Sequence, residues 1–162
     1  MKIGLLLLLG VVLAGCASSK NEKRDYTATS ARFFLEAGGD STGMAIQLPQ
    51  SGVTVAINQK PVITEGDIVG VELVQVELGK ALMFKLNGSA SRDFYRLTGT
   101  HQGRRLVLTL NDASVGARRI DGAIPDGVIF IFVEVPDDDL PKLVENLKKT
   151  TIDVQKEIKR KG

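Results

Sequence analysis

The sequence predicts a single α+β domain, with a mainly antiparallel or mixed β-sheet carrying two α-helices. Three observations lead there. Short runs of alternating apolar residues are separated by Gly, Pro, Asn and Ser, the mark of strands joined by turns. Two later stretches instead repeat their apolar residues at helical spacing, and the order strands, helix, strands, helix is that of an α+β fold. The chain has 162 residues, 43% hydrophobic and 25% charged, which suits one globular domain and not two.

Residues 32–37 (Arg-Phe-Phe-Leu-Glu-Ala) form the first expected strand, ended by Gly38-Gly39-Asp40. Met44, Ile46 and Leu48 alternate next, then Val53, Val55 and Ile57, with Pro49-Gln50-Ser51-Gly52 between them and Asn58-Gln59-Lys60-Pro61 after. In residues 69–78 the apolar parity changes: Val69, Val71 and Leu73 share one side, Val74, Val76 and Leu78 the other. A regular strand cannot switch faces, so a bulge, a bend or burial of both faces is expected between Leu73 and Val74. Gly79-Lys80 has the pattern of a two-residue hairpin turn, and Leu82, Phe84 and Leu86 return on one face.

Ser89 is the expected cap of the first helix, whose stripe is Ala90, Phe94, Leu97 and His101, with Gly103 ending it. Residues 104–110 form a strand that Asn111-Asp112 turns into residues 115–120. Residues 128–135 are apolar for six consecutive positions, which suits an interior strand covered on both faces. Pro136-Asp137-Asp138-Asp139 opens the second helix, with Leu140, Leu143, Val144, Leu147, Thr151, Val154 and Ile158 as its buried stripe. The β-branched Thr150-Thr151-Ile152 weakens its middle, so residues 151–162, the basic end of this helix, are expected to fray or project from the domain of residues 32–150.

The first thirty residues carry an address. Lys2 precedes eleven uncharged residues, 3–13, enough for a signal-peptide core but short of the roughly 20 needed to span a bilayer. Leu13-Ala14-Gly15-Cys16 comes immediately after, and it resembles the lipobox of bacterial lipoproteins. That resemblance implies cleavage between Gly15 and Cys16 and acylation of Cys16, so residues 1–15 are a signal peptide and the membrane is a partner through the anchor. Two or three acyl chains are needed for stable attachment, since one binds only marginally. Ala17 stands where an inner-membrane retention aspartate would, which implies an outer-membrane protein facing the periplasm. Residues 16–31, small, polar and charged, read as the lipidated cysteine followed by a flexible tether.

Beyond the leader, residues 61–149 resemble the head of the periplasmic domain of SecD, an accessory subunit of the bacterial preprotein translocase. The resemblance rests on the lead-in Pro61-Val62-Ile63-Thr64-Glu65-Gly66-Asp67-Ile68, the strand Phe84-Lys85-Leu86, the helix step Phe94-Tyr95-Arg96-Leu97-Thr98 and the strand start Gly103-Arg104-Arg105-Leu106. Asn111-Asp112 stands where the family has Asp-Gly, and Ile120 and Ile124 fall where the next strand and turn of the family place theirs. The resemblance implies a periplasmic module that contacts unfolded polypeptide, the translocon or another envelope protein. SecD's proton-harvesting membrane helices have no counterpart in this sequence, so this chain is not expected to drive translocation itself.

Side-chain chemistry points away from catalysis, cofactors and metals. One Cys and one His exclude disulfide frameworks and argue against Cys/His zinc clusters. His101 reads as a helix-end residue with a local hydrogen bond, and no Gly-x-Ser-x-Gly elbow is present. Asp137-Asp138-Asp139 lacks the spacing of a calcium loop. A formal net charge of +2 argues against a dedicated nucleic-acid binder. The candidate interaction residues are two arginine pairs, Arg104-Arg105 and Arg118-Arg119, brought together if their strands pair antiparallel, with Arg92 and Arg96 one helical turn apart beside them. They form either a charge-protected sheet edge or a patch for acidic polypeptide, lipid phosphates or a partner's carboxylates. Two functions are open on these grounds: a lipid-anchored, non-catalytic polypeptide- or protein-binding module accessory to export, or a structural adaptor for an outer-membrane or cell-wall partner.

Overall fold

The computed structural model describes residues 24–39 and 42–162; Gly15 and Cys16 lie outside the described residues. In chain order the elements are β1 (Ala31–Leu35), β2 (Met44–Gln47), β3 (Thr54–Ile57), β4 (Ile68–Val76), β5 (Gly79–Leu86), α1 (Gly88–Thr100), β6 (Arg105–Leu110), β7 (Ala113–Arg119), β8 (Val128–Ile131) and α2 (Leu140–Lys161). The α+β class holds, with strands pairing antiparallel in three small sheets, β1-β6-β7, β2-β3 and β4-β5-β8.

Two of these sheets share one core. Ala31, Phe33 and Leu35 of β1 and Leu106, Leu108 and Leu110 of β6 cluster with Ile68, Val71, Leu82, Phe84, Leu86, Ile129 and Ile131 of the β4-β5-β8 sheet. The sheets meet where the Phe33 and Phe84 rings stand edge to face, centroids 5.1 Å apart. Phe94 of α1 and Val144 and Leu147 of α2 complete the cluster. The opposite face of β1-β6-β7 is covered separately: Val107 packs with Val55 and Ile57 of the β2-β3 hairpin, and Phe34, Ile46 and Ala117 surround them.

The strand buried on both faces is therefore β6, whose residues 106–110 are all buried, and not the apolar run expected at 128–135. That run supplies only the four-residue edge strand β8, with Ile129 and Ile131 inward and Phe130 43% exposed. After Ile131 the chain leaves β5 and turns to β7, where the Glu134 N–H donates to Val115 O at 2.6 Å. Gly116 makes that approach possible, because a Cβ there would sit 2.4 Å from the Phe132 carbonyl oxygen.

Three local expectations shift position. Asn87, not Ser89, caps α1: its side chain accepts the Ala90 N–H at 2.9 Å. Glu77 and Leu78 form the tip between β4 and β5, and Gly79 supplies its φ of 125° just after them, paired with Val76. The irregularity in β4 lies between Ile68 and Gly70, while Leu73↔Leu82 and Val74↔Ala81 pair in register. Ile68, Val71 and Leu73 thus share the core side, and Val74 takes the other side of the sheet. The Asn111-Asp112 turn is as expected, both residues left-handed with φ of 47° and 66°.

The lead-in of residues 61–68 has a physical basis. Asp67 Oδ2 accepts both the Thr64 N–H and the Thr64 hydroxyl at 2.8 Å, while Asp67 O accepts the Asn87 N–H at 2.8 Å. This turn sets the start of β4 beside the start of α1. Ile63 is buried against β1 through Phe33 N–H to Ile63 O at 2.9 Å.

The flexible tether expected through residue 31 does not extend that far. Ala31 already belongs to β1, and residues 25–30 are held on α2 and on the β6–β7 turn. The Thr27 N–H donates to Asn146 Oδ1 at 3.2 Å, the Thr29 N–H to Thr150 Oγ1 at 2.9 Å and the Ser30 N–H to Asn111 Oδ1 at 2.8 Å. Polar residues read as solvated linker when their partners lie more than 80 positions away. The same contacts correct the expected weak middle of α2, which runs unbroken to Lys161: Thr150 is buried under the segment, and Gln155 Nε2 donates to Gly66 O and Ile68 O at 3.0 Å each. Thr150, not Thr151, is the buried threonine of the helix, and Ile158 is exposed.

The Phe33–Phe84 contact should dominate stability. Phe84→Ala is expected to cost about 3–5 kcal/mol. A Phe33→Leu/Phe84→Leu double-mutant cycle should show about 0.5–1.5 kcal/mol of coupling. Urea unfolding of the four proteins measures both.

Candidate interaction surfaces

The structure brings some of the candidate arginines together and separates others. Arg105 and Arg119 are directly paired across β6 and β7, so they share one face. Arg118 pairs with Leu106 and takes the opposite face, where its Nη1 donates to Phe130 O at 3.0 Å. Arg105 is engaged internally: Glu36 receives its backbone N–H at 2.8 Å and its Nε at 3.1 Å, and also pairs with Nη2. Arg96 lies 3.7 Å from Asp93 on its own helix. Arg104, Arg119 and Arg92 have no ion pair among the described residues. Arg105 is thus a structural residue and Arg118 a clip between sheets. The period-2 rule separates neighbours in sequence onto two faces, so Arg118 and Arg119 do not act as one patch.

The carboxylate partners show how firmly these arginines are held. The Arg105 guanidinium holds Glu36 below the usual carboxylate range against the opposing effect of its burial, and Arg104 adds to the lowering. Arg32 does the same to Glu65, with Nε and Nη2 reaching its two oxygens at 2.8 and 3.0 Å. Both pairs fasten β1, one to β6 and one to the lead-in loop.

His101 is where a helix-end residue should be. It caps α1, and its Nδ1 lies 2.9 Å from Leu97 O. Asp137 of the acidic run pairs with Lys80 at 3.0 Å. No group of three or more His, Cys, Asp or Glu able to hold a metal occurs among the described residues.

A surface that sequence reasoning missed lies on the far side of the β4-β5-β8 sheet. Register places Glu72, Met83 and Phe130 in one cross-strand row, Gly70, Lys85 and Val128 in the next, and Val74 beside Ala81 in a third. Phe130 is exposed, Met83 and Val74 are half-buried, and Glu72 and Lys85 are exposed beside them. Phe132, one residue past β8, is exposed to the same degree as Phe130. The signal is the parity change in residues 69–78: of the second apolar set, Val74 lies on this face while Leu78 stands at the β4–β5 tip.

No protein-family model and no curated protein matches the chain. Solved structures do. The chain superposes on a structure of the membrane component SecDF that enhances protein export with a TM-score of 0.57 at 16% identity, covering 75% of this chain and 62% of that one. A crystal structure of SecDF in a super-membrane-facing form gives 0.58 at 17% identity, covering 75% of this chain and 18% of that one. The fold is SecD-like. The chain spans less than two thirds of either SecDF chain, and at such identity the likeness is one of fold. None of the helices among the described residues is long and apolar enough to cross a membrane.

The Glu36–Arg105 pair should be visible as pH-dependent stability. Glu36 has a lowered folded-state value, so its contribution is present above the unfolded carboxylate range near pH 4.5 and is lost as pH falls through the folded value. Glu36→Gln should therefore cost about 1 kcal/mol at pH 7, allowing for solvent screening of the half-exposed Arg105, and less at about pH 3, below the unfolded carboxylate range. Denaturant midpoints at the two pH values test this; an equal loss at both would contradict it.

Proposed function

We propose that this protein is a lipid-anchored, periplasm-facing envelope module that binds polypeptide non-catalytically through the open face of β4-β5-β8, as an accessory to protein export. The observation that carries the reading is the exposed row of Phe130 and Met83 with Val74 and Phe132 nearby, on a SecD-like scaffold whose solved relative is described as enhancing export. Contiguous apolar surface of this kind, rimmed by charge, marks interaction sites. Aromatic and thioether side chains suit varied sequences because they adapt to many shapes without a fixed hydrogen-bond pattern. The Cys16 anchor, supported by the lipobox resemblance, would hold this face in the compartment where exported chains emerge.

A photoreactive residue at Phe130 tests the reading in cells. It should crosslink to a spread of newly exported chains or to the translocon, whereas the same probe at exposed Lys148 should not. Crosslinking of Phe130 to one folded envelope protein would instead favour an adaptor for an outer-membrane or cell-wall partner. In vitro, Met83→Ser/Phe130→Ser should weaken binding of a reduced, alkylated secretory protein about tenfold or more, by removal of about 2 kcal/mol of apolar contact. Both side chains are partly exposed, so unfolding midpoints should change little.

The anchor is tested separately. Cys16→Ser should leave the leader uncleaved, so that no species of the parental processed size enters the detergent phase. A variant of parental processed size that still enters the detergent phase would remove lipidation from the reading.

A further inference from the structure

Residues 24–30 form a strap across α2. Asp25 pairs with Lys149 at 2.9 Å, and the Tyr26 hydroxyl donates to Asp153. Arg24 and Lys149 lie 6.0 and 5.8 Å from the centre of the Tyr26 ring. Thr29 of the strap is buried against Asn146 and Thr150 of the helix, which are buried too, and Asn111 holds the strap's far end through Ala28 O and Ser30. The described chain therefore meets α2 at Arg24, 3.9 Å from Asp153, in the C-terminal half of the helix.

Only eight residue steps separate Cys16 from Arg24, and fully extended they reach no more than about 29 Å. Were the strap free, the reach to β1 at Ala31 would be nearly twice as long. With it docked, an anchor at Cys16 keeps the C-terminal half of α2 close to the bilayer.

That half of α2 carries the matching chemistry. Lys148, Ile152, Lys156 and Lys159 recur at i, i+4, i+8 and i+11, which places them on one helical stripe. All four are exposed, Ile152 by 53%. From residue 148 to 161 the helix has six basic residues against two acidic ones. Lys148 and Lys159 have no ion pair among the described residues, and Lys156 reaches Asp153 only at 4.0 Å. Glu145, one turn before Lys148 on this side, is already held by Lys142 and Lys149. Exposed lysines around an exposed isoleucine are the composition of a helix that rests in a membrane interface.

We infer that this stripe is a membrane-apposed surface for anionic phospholipid headgroups, with the docked strap fixing which side of the domain faces the bilayer. The orientation rests on the lipid-anchor reading; the affinity of the stripe does not. The stripe is part of α2 and the strap lies across that helix, so both leave the Met83–Phe130 row free for polypeptide.

The test uses the full-length chain with Cys16→Ser, which lacks the acyl chains, and compares binding to phosphatidylcholine vesicles with and without phosphatidylglycerol. The apolar leader contributes to both vesicle types, so the ratio reads the electrostatic part. The parent should prefer anionic vesicles, and added salt should erase the preference. Lys148→Gln/Lys156→Gln/Lys159→Gln should lower the ratio about a hundredfold, since a lysine near an anionic surface contributes roughly fivefold each. Ile152→Ser should weaken anionic binding severalfold with the salt dependence kept. An unchanged ratio in the triple variant overturns the inference, and so does equal binding of the parent to both vesicles. A failed anchor appears independently, in the processing of the Cys16 variant.

Discussion

Burial of β6 on both faces is the constraint from which the rest of the architecture derives. Its residues 106–110 alternate between two clusters, Leu106, Leu108 and Leu110 on one side and Val107 on the other. A three-stranded sheet has no second layer of its own, so each face must be covered by a different element. One face takes the β4-β5-β8 sheet with both helices. The other takes the short β2-β3 hairpin, whose turn is fixed by Gln50 and Ser51 N–H groups donating to Glu134 at 2.6 and 3.0 Å. The outer side of β4-β5-β8 is covered at Ala81 but leaves Phe130, Glu72 and Lys85 exposed.

Charge is used differently in the two halves of the molecule. Around β1 and β6 the arginines meet carboxylates with paired hydrogen bonds: Arg105 with Glu36 and Arg32 with Glu65. Such fork-shaped contacts fix geometry more than they attract ligands. On α2 the lysines are single points on flexible stems, mostly exposed and in excess over acids. Lysines of that kind suit a diffuse, hydrated, negatively charged surface, and arginines in tight forks do not. Unpaired cations thus occur in two places among the described residues, at Arg104 and Arg119 beside the forked Arg105 and along the exposed side of α2.

The legible parts of the fold are those decided by neighbours in sequence. The turn at Asn111-Asp112, the amphipathic helices and most strand positions come from local backbone preference and periodicity. The misplaced elements share one cause, which is that apolar pattern records what is buried or interacting without recording by what. The run at 128–135 looks like a core strand because Phe130 and Phe132 are apolar, yet they face outward at a sheet edge. The second parity set of residues 69–78 looks like a bulge signal only if a strand with two apolar faces must lie in the interior. Ser89 has the right chemistry for a cap, but Asn87 stands two positions nearer the turn that Asp67 fixes and so takes the N–H of Ala90 first.

The strap is the hardest part to read, because its residues are those of a linker. Asp25, Tyr26, Thr27 and Thr29 carry no apolar periodicity, and local reading assigns them to solvent. Their partners are Lys149, Asp153, Asn146 and Thr150, a polar side of α2 that itself looks like a solvated face. Two such faces satisfy each other's hydrogen-bonding groups, so both can leave water without the penalty that either would bear alone. The effect is geometric: a segment that reads as free tether is instead held along the helix from Arg24 onward. α2 is thus held by the strap along one side and, through Gln155, by the start of β4 on another, so the helix is fixed to the domain by polar contacts as well as by its apolar stripe.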